Sequence, residues 1–177
     1  MTEIIVALDD LNRKEALLLA EKLSIKSVVF KVNDLLDDEG ASIIMLLKNK
    51  GRVMVDLKFH DIPYTVGNRV KKYAPFTPDF ITVHASGGIA MMRAAVENCG
   101  ESKILAVTVL TSLNEEECNI NLGGPIKMKV LQYARNAVLA GVHGIVCSPK
   151  ELEFLSQFPE LKNLIKVTPG IRPKWHL

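Results

Sequence analysis

Residues 53 to 63 read Val53-Met54-Val55-Asp56-Leu57-Lys58-Phe59-His60-Asp61-Ile62-Pro63. The apolar start is typical of a buried strand, and Ile62-Pro63 ends it. Asp56 and Lys58 are two residues apart, so on a strand their side chains point to the same face. Burying charges at the end of a strand is costly unless they pair or take part in chemistry. The stretch therefore predicts either a cluster of catalytic charges or a surface ion pair where the strand runs into a loop.

Six further apolar runs accompany this one along the chain. The seven runs cover residues 4–8, 27–32, 53–57, 80–84, 104–109, 144–147 and 164–168. Each is continuous rather than alternating, as in strands that are buried on both faces of a parallel sheet. Helical patterns separate the runs, for example Ala16, Ala20 and Leu23 on one helix face. This β-α repeat predicts an α/β fold, either an open doubly wound sheet or a (β/α)8 barrel.

Two features favour the barrel. Polar side chains lie in or just after the strands, where a barrel would bring them together at the carboxyl-terminal face; they are Asp9, Lys31, Asp56, His84, Thr111 and Thr168. The first strand is not followed by the G-x-G-x-x-G pattern of a dinucleotide-binding unit. We therefore predict that residues 1–177 form one (β/α)8-type barrel domain.

The predicted barrel is incomplete. Only seven strands are visible, and the chain stops at Leu177, soon after the seventh. Because a closed barrel of this type takes about 200 residues or more, we expect the eighth strand and its helix to be missing at the C-terminus. Strands one and seven would then have unpaired edges.

A longer segment separates the fifth and sixth strands. Its first part, residues 110–124, is polar and carries the acidic run Asn114-Glu115-Glu116-Glu117. This composition is compatible with a mobile loop that covers the site as a lid, or with a solvated connection.

The composition excludes several classes of function. The chain has 22 basic and 20 acidic residues, so its net charge of +2 gives no reason to expect nucleic acid or an anionic membrane as partner. No apolar run is long enough to span a membrane, and the start lacks the basic region of a signal peptide. Cys99, Cys118 and Cys147 are odd in number and widely spaced, as in reduced thiols of a cytoplasmic protein.

The remaining chemical groups do not form a recognisable cofactor or nucleophile pattern. The four histidines show no metal-ligand spacing, so we expect no metal. Ser86 and Ser112 have no His and Asp neighbours in a triad pattern, which gives little support to nucleophilic catalysis.

The chain resembles the bacterial form of orotidine 5′-phosphate decarboxylase from Glu3 to about Pro173. Six segments carry the resemblance: Val6-Ala7-Leu8-Asp9, Phe30-Lys31-Val32, residues 56–63, Val83-His84-Ala85-Ser86-Gly87-Gly88, Val107-Thr108-Val109-Leu110-Thr111-Ser112 and Thr168-Pro169-Gly170-Ile171-Arg172. The Asp-x-Lys-x-x-Asp core also occurs in sugar-phosphate decarboxylases of the same superfamily. Its continuation His60-Asp61-Ile62-Pro63 and the Thr-Pro-Gly-Ile-Arg segment are more particular to the orotidylate enzymes.

The resemblance implies cofactor-free decarboxylation of orotidine 5′-phosphate to UMP in pyrimidine biosynthesis, by a homodimeric lyase. Lys31, Asp56, Lys58 and Asp61 match the family's alternating charged array, with Asp61 contributed across the dimer interface and Lys58 as proton donor to C6. The substrate-contacting positions of the family correspond to Asp9 and Lys31 at the ribose, to Thr65 and Thr111, and to the phosphate segment Pro169, Gly170 and Arg172.

Three departures from the family pattern bear on the site. Asn33-Asp34 replaces the Gly that usually follows the second strand, which adds a negative charge near Lys31. Tyr64 stands where the family has a smaller Asn. The family's phosphate-binding Gln and its Gly-Arg pair would lie beyond Leu177, in line with a truncated chain.

Three functional hypotheses follow. The first is an orotidylate decarboxylase. The second is a sugar-phosphate decarboxylase of the same superfamily. The third, from a different class, is a non-catalytic truncated copy or subunit that binds a phosphorylated pyrimidine weakly.

Overall fold

The computed structural model describes residues 2–24 and 28–171. Within these residues, seven strands form one parallel sheet: β1 Ile4–Ala7, β2 Val28–Val32, β3 Arg52–Phe59, β4 Phe80–His84, β5 Lys103–Val107, β6 Gly144–Val146 and β7 Ile165–Val167. The predicted strand runs are confirmed, with shifts of at most two residues at their ends. Residue 27, the predicted start of the second strand, lies outside the described part.

Helices connect the strands on the outside of the sheet. They are α1 Arg13–Lys22, α2 Leu35–Glu39, α3 Ser42–Lys48, α4 Pro63–Tyr73, α5 Ile89–Glu97, α6 Glu115–Leu122, α7 Ile126–Ala140 and α8 Leu152–Ser156. Short 3₁₀ turns at Ala74–Phe76, Ala85–Gly87, Pro149–Glu151 and Pro159–Leu161 complete the connections. None of the helices in the described ranges is long and apolar enough to cross a membrane.

The strand order decides between the two predicted architectures. Neighbours in the sheet follow chain order from β1 to β7, and every pair is parallel. A doubly wound sheet reverses its strand order at a switch point, whereas a barrel adds each strand beside the last one. The sheet is therefore a curled, partial (β/α)8-type barrel, as predicted. Within the described residues, β1 and β7 each pair on one side only.

Two separate apolar clusters show that the sheet curls. The larger cluster lies between the strands and the helices and includes Val53, Val55, Ile81 and Val83. The smaller cluster takes side chains from the opposite face of the strands: Ile5, Val29, Met54, Phe80, Leu105, Val146, Ile165 and Val167. Side chains from all seven strands converge in this inner cluster, as expected for the filled interior of a barrel.

The segment 110–124 differs from its prediction as a loop. Residues Glu115–Leu122 form helix α6, which begins with a capping box in which Asn114 accepts from the Glu117 backbone N–H and Glu117 accepts from the Asn114 N–H. The acidic run favours this start because negative charge is stabilised at a helix N-terminus. The composition suggested a loop because α6 buries only Cys118 and so lacks an apolar face.

Candidate active site

The carboxyl ends of the first three strands carry the charged residues singled out in the sequence. Asp9 follows β1, Lys31 lies in β2, and Asp56 and Lys58 lie in β3. Because neighbouring parallel strands end at the same edge of the sheet, these side chains meet at one end of the curled sheet.

The four side chains form one chain of ion pairs with alternating sign. The Lys31 ammonium donates to both carboxylate oxygens of Asp9 at 2.7 and 2.6 Å, and its Nζ lies 3.6 Å from Asp56 Oδ2. The same Asp56 oxygen accepts from the Lys58 ammonium at 2.8 Å. Asp56 is therefore shared by two ammonium groups, and each of those groups has a defined position.

Strand β3 is irregular at the point where it carries these charges. Val55 pairs with Ile81 of β4, and the next pair is Phe59 with Val83. Three residues of β3 thus lie opposite a single residue of β4, which is a bulge. Lys58 has a φ of 46°, a left-handed conformation that is rare for a residue with a side chain. Such backbone strain is concentrated at functional sites.

Thr82 is the residue of β4 opposite the bulge, and the sequence did not single it out. Its hydroxyl donates to Asp56 Oδ1 at 2.9 Å and accepts from the Lys58 backbone N–H at 2.9 Å. With these contacts the Asp56 carboxylate, whose side chain is only 9% exposed, is satisfied on both oxygens. A signal was present in the sequence, since Thr82 is the one polar residue inside the apolar run Phe80–Val83.

Asp34, the departure expected to add a charge near Lys31, has its own partner. Its Oδ2 accepts from the backbone N–H of Asp10 at 2.8 Å, and this hydrogen bond is the main reason that the pKa of Asp34 is lowered. Asp10 itself has a left-handed φ of 60°. The Asp34 carboxylate therefore stabilises the turn after β1 through its bond to Asp10. Lys31 donates its hydrogen bonds to Asp9 instead.

The other predicted site residues are not part of this ion-pair chain in the described residues. Asp61 is exposed and accepts from the N–H of Ile62 at 2.7 Å. Thr65 lies in the first turn of α4. Pro169 and Gly170 follow β7, and Gly170 has a φ of 85° that suits a glycine. Arg172 lies outside the described residues.

Thr111 lies beyond β5 in a cavity of about 250 Å³, which it shares with Ser148, Lys127 and Lys150. A second cavity, of about 330 Å³, includes Leu57 and Phe59. Both of these side chains belong to the cluster on the helix side of the sheet. The second cavity is therefore on the opposite side of β3 from the inner face that carries Met54.

Two histidines stand beside Lys58. The rings of His60 and His84 are 5.5 Å apart. Burial lowers the pKa of His84, and the charges of His60 and Lys58 act in the same direction. At neutral pH His84 is therefore uncharged and adds no further positive charge to the cluster.

The thiols and the remaining acids do not form another reactive centre in the described ranges. All three cysteines are free and buried, and burial raises the pKa of Cys147 to about 12. A thiol with that pKa is protonated at neutral pH and is a poor nucleophile. The described residues contain no group of three or more His, Cys, Asp or Glu arranged to hold a metal ion.

Comparison with known proteins shows which family the chain belongs to. Residues 2–176 match the model of the orotidine 5′-phosphate decarboxylase / HUMPS family. Orotidine 5′-phosphate decarboxylase of Alkalilimnicola ehrlichii is 40% identical, over 98% of this chain and 77% of that protein. The Staphylococcus aureus (strain Newman) protein of the same name is 41% identical, over 84% of this chain and 68% of its own. The crystal structure of orotidine 5′-phosphate decarboxylase from Lactobacillus acidophilus superposes with a TM-score of 0.82 at 34% identity, covering 98% of this chain and 83% of that one. With its strand order, its charged strand ends and a match along almost its whole length, this chain belongs to the orotidine 5′-phosphate decarboxylase / HUMPS family.

Proposed function

We propose that this protein is a carbon–carbon lyase that decarboxylates orotidine 5′-phosphate to UMP, a step of pyrimidine biosynthesis, without a cofactor. The observation that carries the proposal is the continuous ion-pair chain Asp9–Lys31–Asp56–Lys58 at the carboxyl ends of three strands. The names of the relatives support the substrate, because several proteins at about 40% identity are called orotidine 5′-phosphate decarboxylase.

The chemistry of this reaction requires a positive charge at one defined point. Loss of CO2 from C6 of the pyrimidine leaves an electron pair in the plane of the ring, where the π system delocalises it poorly. A fixed ammonium beside C6 stabilises that charge and then supplies the proton. Lys58 fits both roles, because Asp56 holds its amine at 2.8 Å while 34% of the side chain stays exposed to a ligand.

Repulsion between Asp56 and the substrate carboxylate is a smaller contribution. Two carboxylates about 4 Å apart repel by roughly 4 kcal/mol at an effective dielectric of about 20. That energy corresponds to about three decades of rate at most. In this protein the charge of Asp56 is also offset by Lys31 and Lys58, and Thr82 donates a hydrogen bond to it. We therefore assign most of the rate acceleration to the preorganised Lys58 and to binding of the rest of the nucleotide.

We assign the nucleotide-binding roles as follows. Asp9 and Lys31, which bond each other at the edge of the cluster, contact the ribose hydroxyls. Thr65 and Thr111 contact the substrate, and Pro169, Gly170 and Arg172 form the segment that holds the phosphate. The left-handed Gly170 suits a turn that lets this segment change direction.

We also propose that the protein acts as a homodimer in which Asp61 enters the active site of the partner subunit. Within the chain Asp61 is exposed and lies beside two large exposed apolar side chains, Ile62 and Tyr64. Neighbouring exposed apolar residues mark surfaces that are covered by another protein. A dimer contact at this place would bury them and bring Asp61 to a second site.

A cytoplasmic location completes the proposal. The three free thiols of the described chain suit a reducing compartment, where disulfides are rare. Cell fractionation of the native host would place the protein in the soluble cytoplasmic fraction; recovery from the periplasm or membrane would contradict this location.

The test of the function is the Lys58→Ala variant, measured with orotidine 5′-phosphate by loss of absorbance and CO2 release. We expect kcat to fall by about 10⁴-fold or more, because general acid catalysis and charge stabilisation each contribute at least about 10²-fold. UMP should still bind, since the ribose and phosphate contacts remain. A Lys58→Ala variant with near wild-type turnover would rule out Lys58 as the proton donor.

Two controls complete this test. Lys22→Ala removes an exposed lysine from the end of α1 and should leave kcat unchanged. The wild-type chain is also assayed with a 3-keto-hexulose phosphate. Turnover of that sugar phosphate without turnover of orotidine 5′-phosphate would show that the protein is a sugar-phosphate decarboxylase instead. If the protein turns over neither substrate, it is a non-catalytic copy.

A further inference from the structure

The bulge in β3 leaves a gap in the hydrogen-bonding ladder of the sheet. Residues 56–58 of β3 lie opposite Thr82 alone, so β3 carries two extra residues between its pairs with Ile81 and Val83. Because two residues are one full period of a strand, the alternation of faces survives and Phe59 packs on the helix side like Val83. Two of the three residues 56–58 are therefore extra relative to β4. The backbone distortion is concentrated at Lys58, which has a φ of 46°.

The Thr82 hydroxyl closes this gap. It accepts from the Lys58 N–H at 2.9 Å and donates its only proton to Asp56 Oδ1, also at 2.9 Å. The Thr82 hydroxyl therefore bonds the backbone of Lys58 and also the Asp56 carboxylate, which in turn binds the Lys58 ammonium. Thr82 is fully buried, so water does not easily replace it.

We propose that Thr82 is a positioning residue that holds Lys58 in its left-handed conformation and aims its ammonium beside Asp56. This inference rests on the proposed function for its catalytic consequence, but its structural part is independent of the substrate. Without the hydroxyl, the Lys58 N–H and Asp56 Oδ1 both lose a buried partner. A left-handed lysine is then no longer favoured over an ordinary conformation.

The test compares Thr82→Val, which has nearly the same shape without the hydroxyl, with Thr82→Ser, which retains the hydroxyl. Thr82→Val should lower kcat for orotidine 5′-phosphate by about 10- to 100-fold, the effect of misplacing a catalytic group by about 1 Å. Its KM should stay within about threefold of wild type, because the hydroxyl bonds Asp56 and Lys58 and not the nucleotide contacts assigned above. Thr82→Ser should restore kcat to within a few-fold.

Thr108→Val is the matched control. Thr108 is also buried at the carboxyl end of a strand, and its hydroxyl donates to the carbonyl of Val146 at 2.9 Å. Its removal should affect stability in a similar way without lowering kcat. An equal loss of kcat in Thr82→Val and Thr108→Val, or no loss in Thr82→Val, would overturn the proposal. Thr82→Cys, which keeps a similar volume and bonds weakly, answers the same question if Thr82→Val does not fold.

A crystal structure of Thr82→Val separates this proposal from the proposed function. We expect Lys58 to leave the left-handed region and its Nζ to move away from Asp56 Oδ2, with the Thr82→Ser structure unchanged. Lys58 retained in place in Thr82→Val would refute the positioning role. If the wild-type protein does not turn over orotidine 5′-phosphate, the proposed function is refuted. The two crystal structures then still decide whether Thr82 positions Lys58.

Discussion

Asp56 illustrates how a buried charge is retained in this protein. Its two oxygens are shared among the ammonium groups of Lys58 and Lys31 and the hydroxyl of Thr82. A buried carboxylate with that many partners is held in place, whereas removal of one partner leaves charge uncompensated. The side chains around Asp56 are thus held by one another, which is the preorganisation that the proposed chemistry requires.

His143 is a half-buried residue at the opposite end of the sheet, and it has a structural role. Its Nδ1 accepts from the backbone N–H of Ile104 at 3.0 Å, so this nitrogen must carry no proton. Burial lowers the pKa of His143, and the charge of Lys103 lowers it further. The neutral ring connects the start of β5 to the turn before β6.

We predict that the free energy of unfolding decreases as the pH falls from about 7.5 to 5.5. The pKa values of His143 and His84 are both lowered in the folded state, so below the unfolded value of about 6.5 the unfolded chain binds protons that the folded chain does not. Each histidine contributes at most about 1.4 kcal/mol per pH unit. The effect is absent above that window.

Urea unfolding of the wild type and of His143→Asn across this pH range checks the prediction. Asn offers an oxygen near the position of Nδ1 and does not titrate, so the variant should show a shallower dependence on pH. Identical slopes for the two proteins would show that His143 does not contribute.

Strand β6 shows how a short element depends on the absence of a side chain. Gly144 pairs with Leu105 of β5 and with Ile165 of β7. A Cβ at this position would lie 2.6 Å from the Ile165 carbonyl oxygen, 2.7 Å from its Cβ and 2.8 Å from Leu105 Cδ2. Contacts this short between backbone and packed side chains force the strands apart.

Gly144→Ala should therefore destabilise the protein by about 1–3 kcal/mol or more, the cost of overpacking a core. Denaturant unfolding measures this change. Gly124→Ala is the control, because the nearest atom to its added Cβ is the Cε of the flexible Lys129 side chain at 3.1 Å. Equal stability of Gly144→Ala and wild type would mean that the strands around β6 adjust freely.

At the scale of the whole molecule, consecutive strand order and curl bring distant parts of the chain to one end of the sheet. Asp9, Lys31 and Asp56 are separated by more than twenty residues each, yet they form one ion-pair chain. The structure places Asp61 outside these ion pairs, and its side chain is exposed beside Ile62 and Tyr64. A complete charged array therefore requires a second subunit if Asp61 belongs to it.

Mixing two impaired variants tests this shared site. Lys58→Ala and Asp61→Asn proteins should each be nearly inactive. After subunit exchange about a quarter of wild-type activity should return, because half of the dimers are mixed and each contains one intact site. The control is a mixture of Lys58→Ala with Asp56→Asn, which should stay inactive since these two residues meet within one chain. No recovery in the first mixture, with exchange verified by mass, would contradict a shared site.

Much of the fold and part of the site were predictable from sequence. Continuous apolar runs identified the seven strands, because burial on both faces of a parallel sheet demands them. Polar strand ends identified Asp9, Lys31, Asp56 and Lys58. Helix α6 was missed because it buries one residue and so lacks a periodic apolar pattern. Thr82 was missed because a single threonine in a strand is equally compatible with ordinary packing.

The amino-acid sequence by itself determined which segments become strands and which charged groups stand at their ends, since both depend on local order along the chain. Only the tertiary structure decided that β3 bulges at Lys58, that Thr82 bridges the bulge, and that one carboxylate serves two ammonium groups. These features depend on the register between neighbouring strands. Register is a relation between residues more than twenty positions apart, so no local pattern carries it.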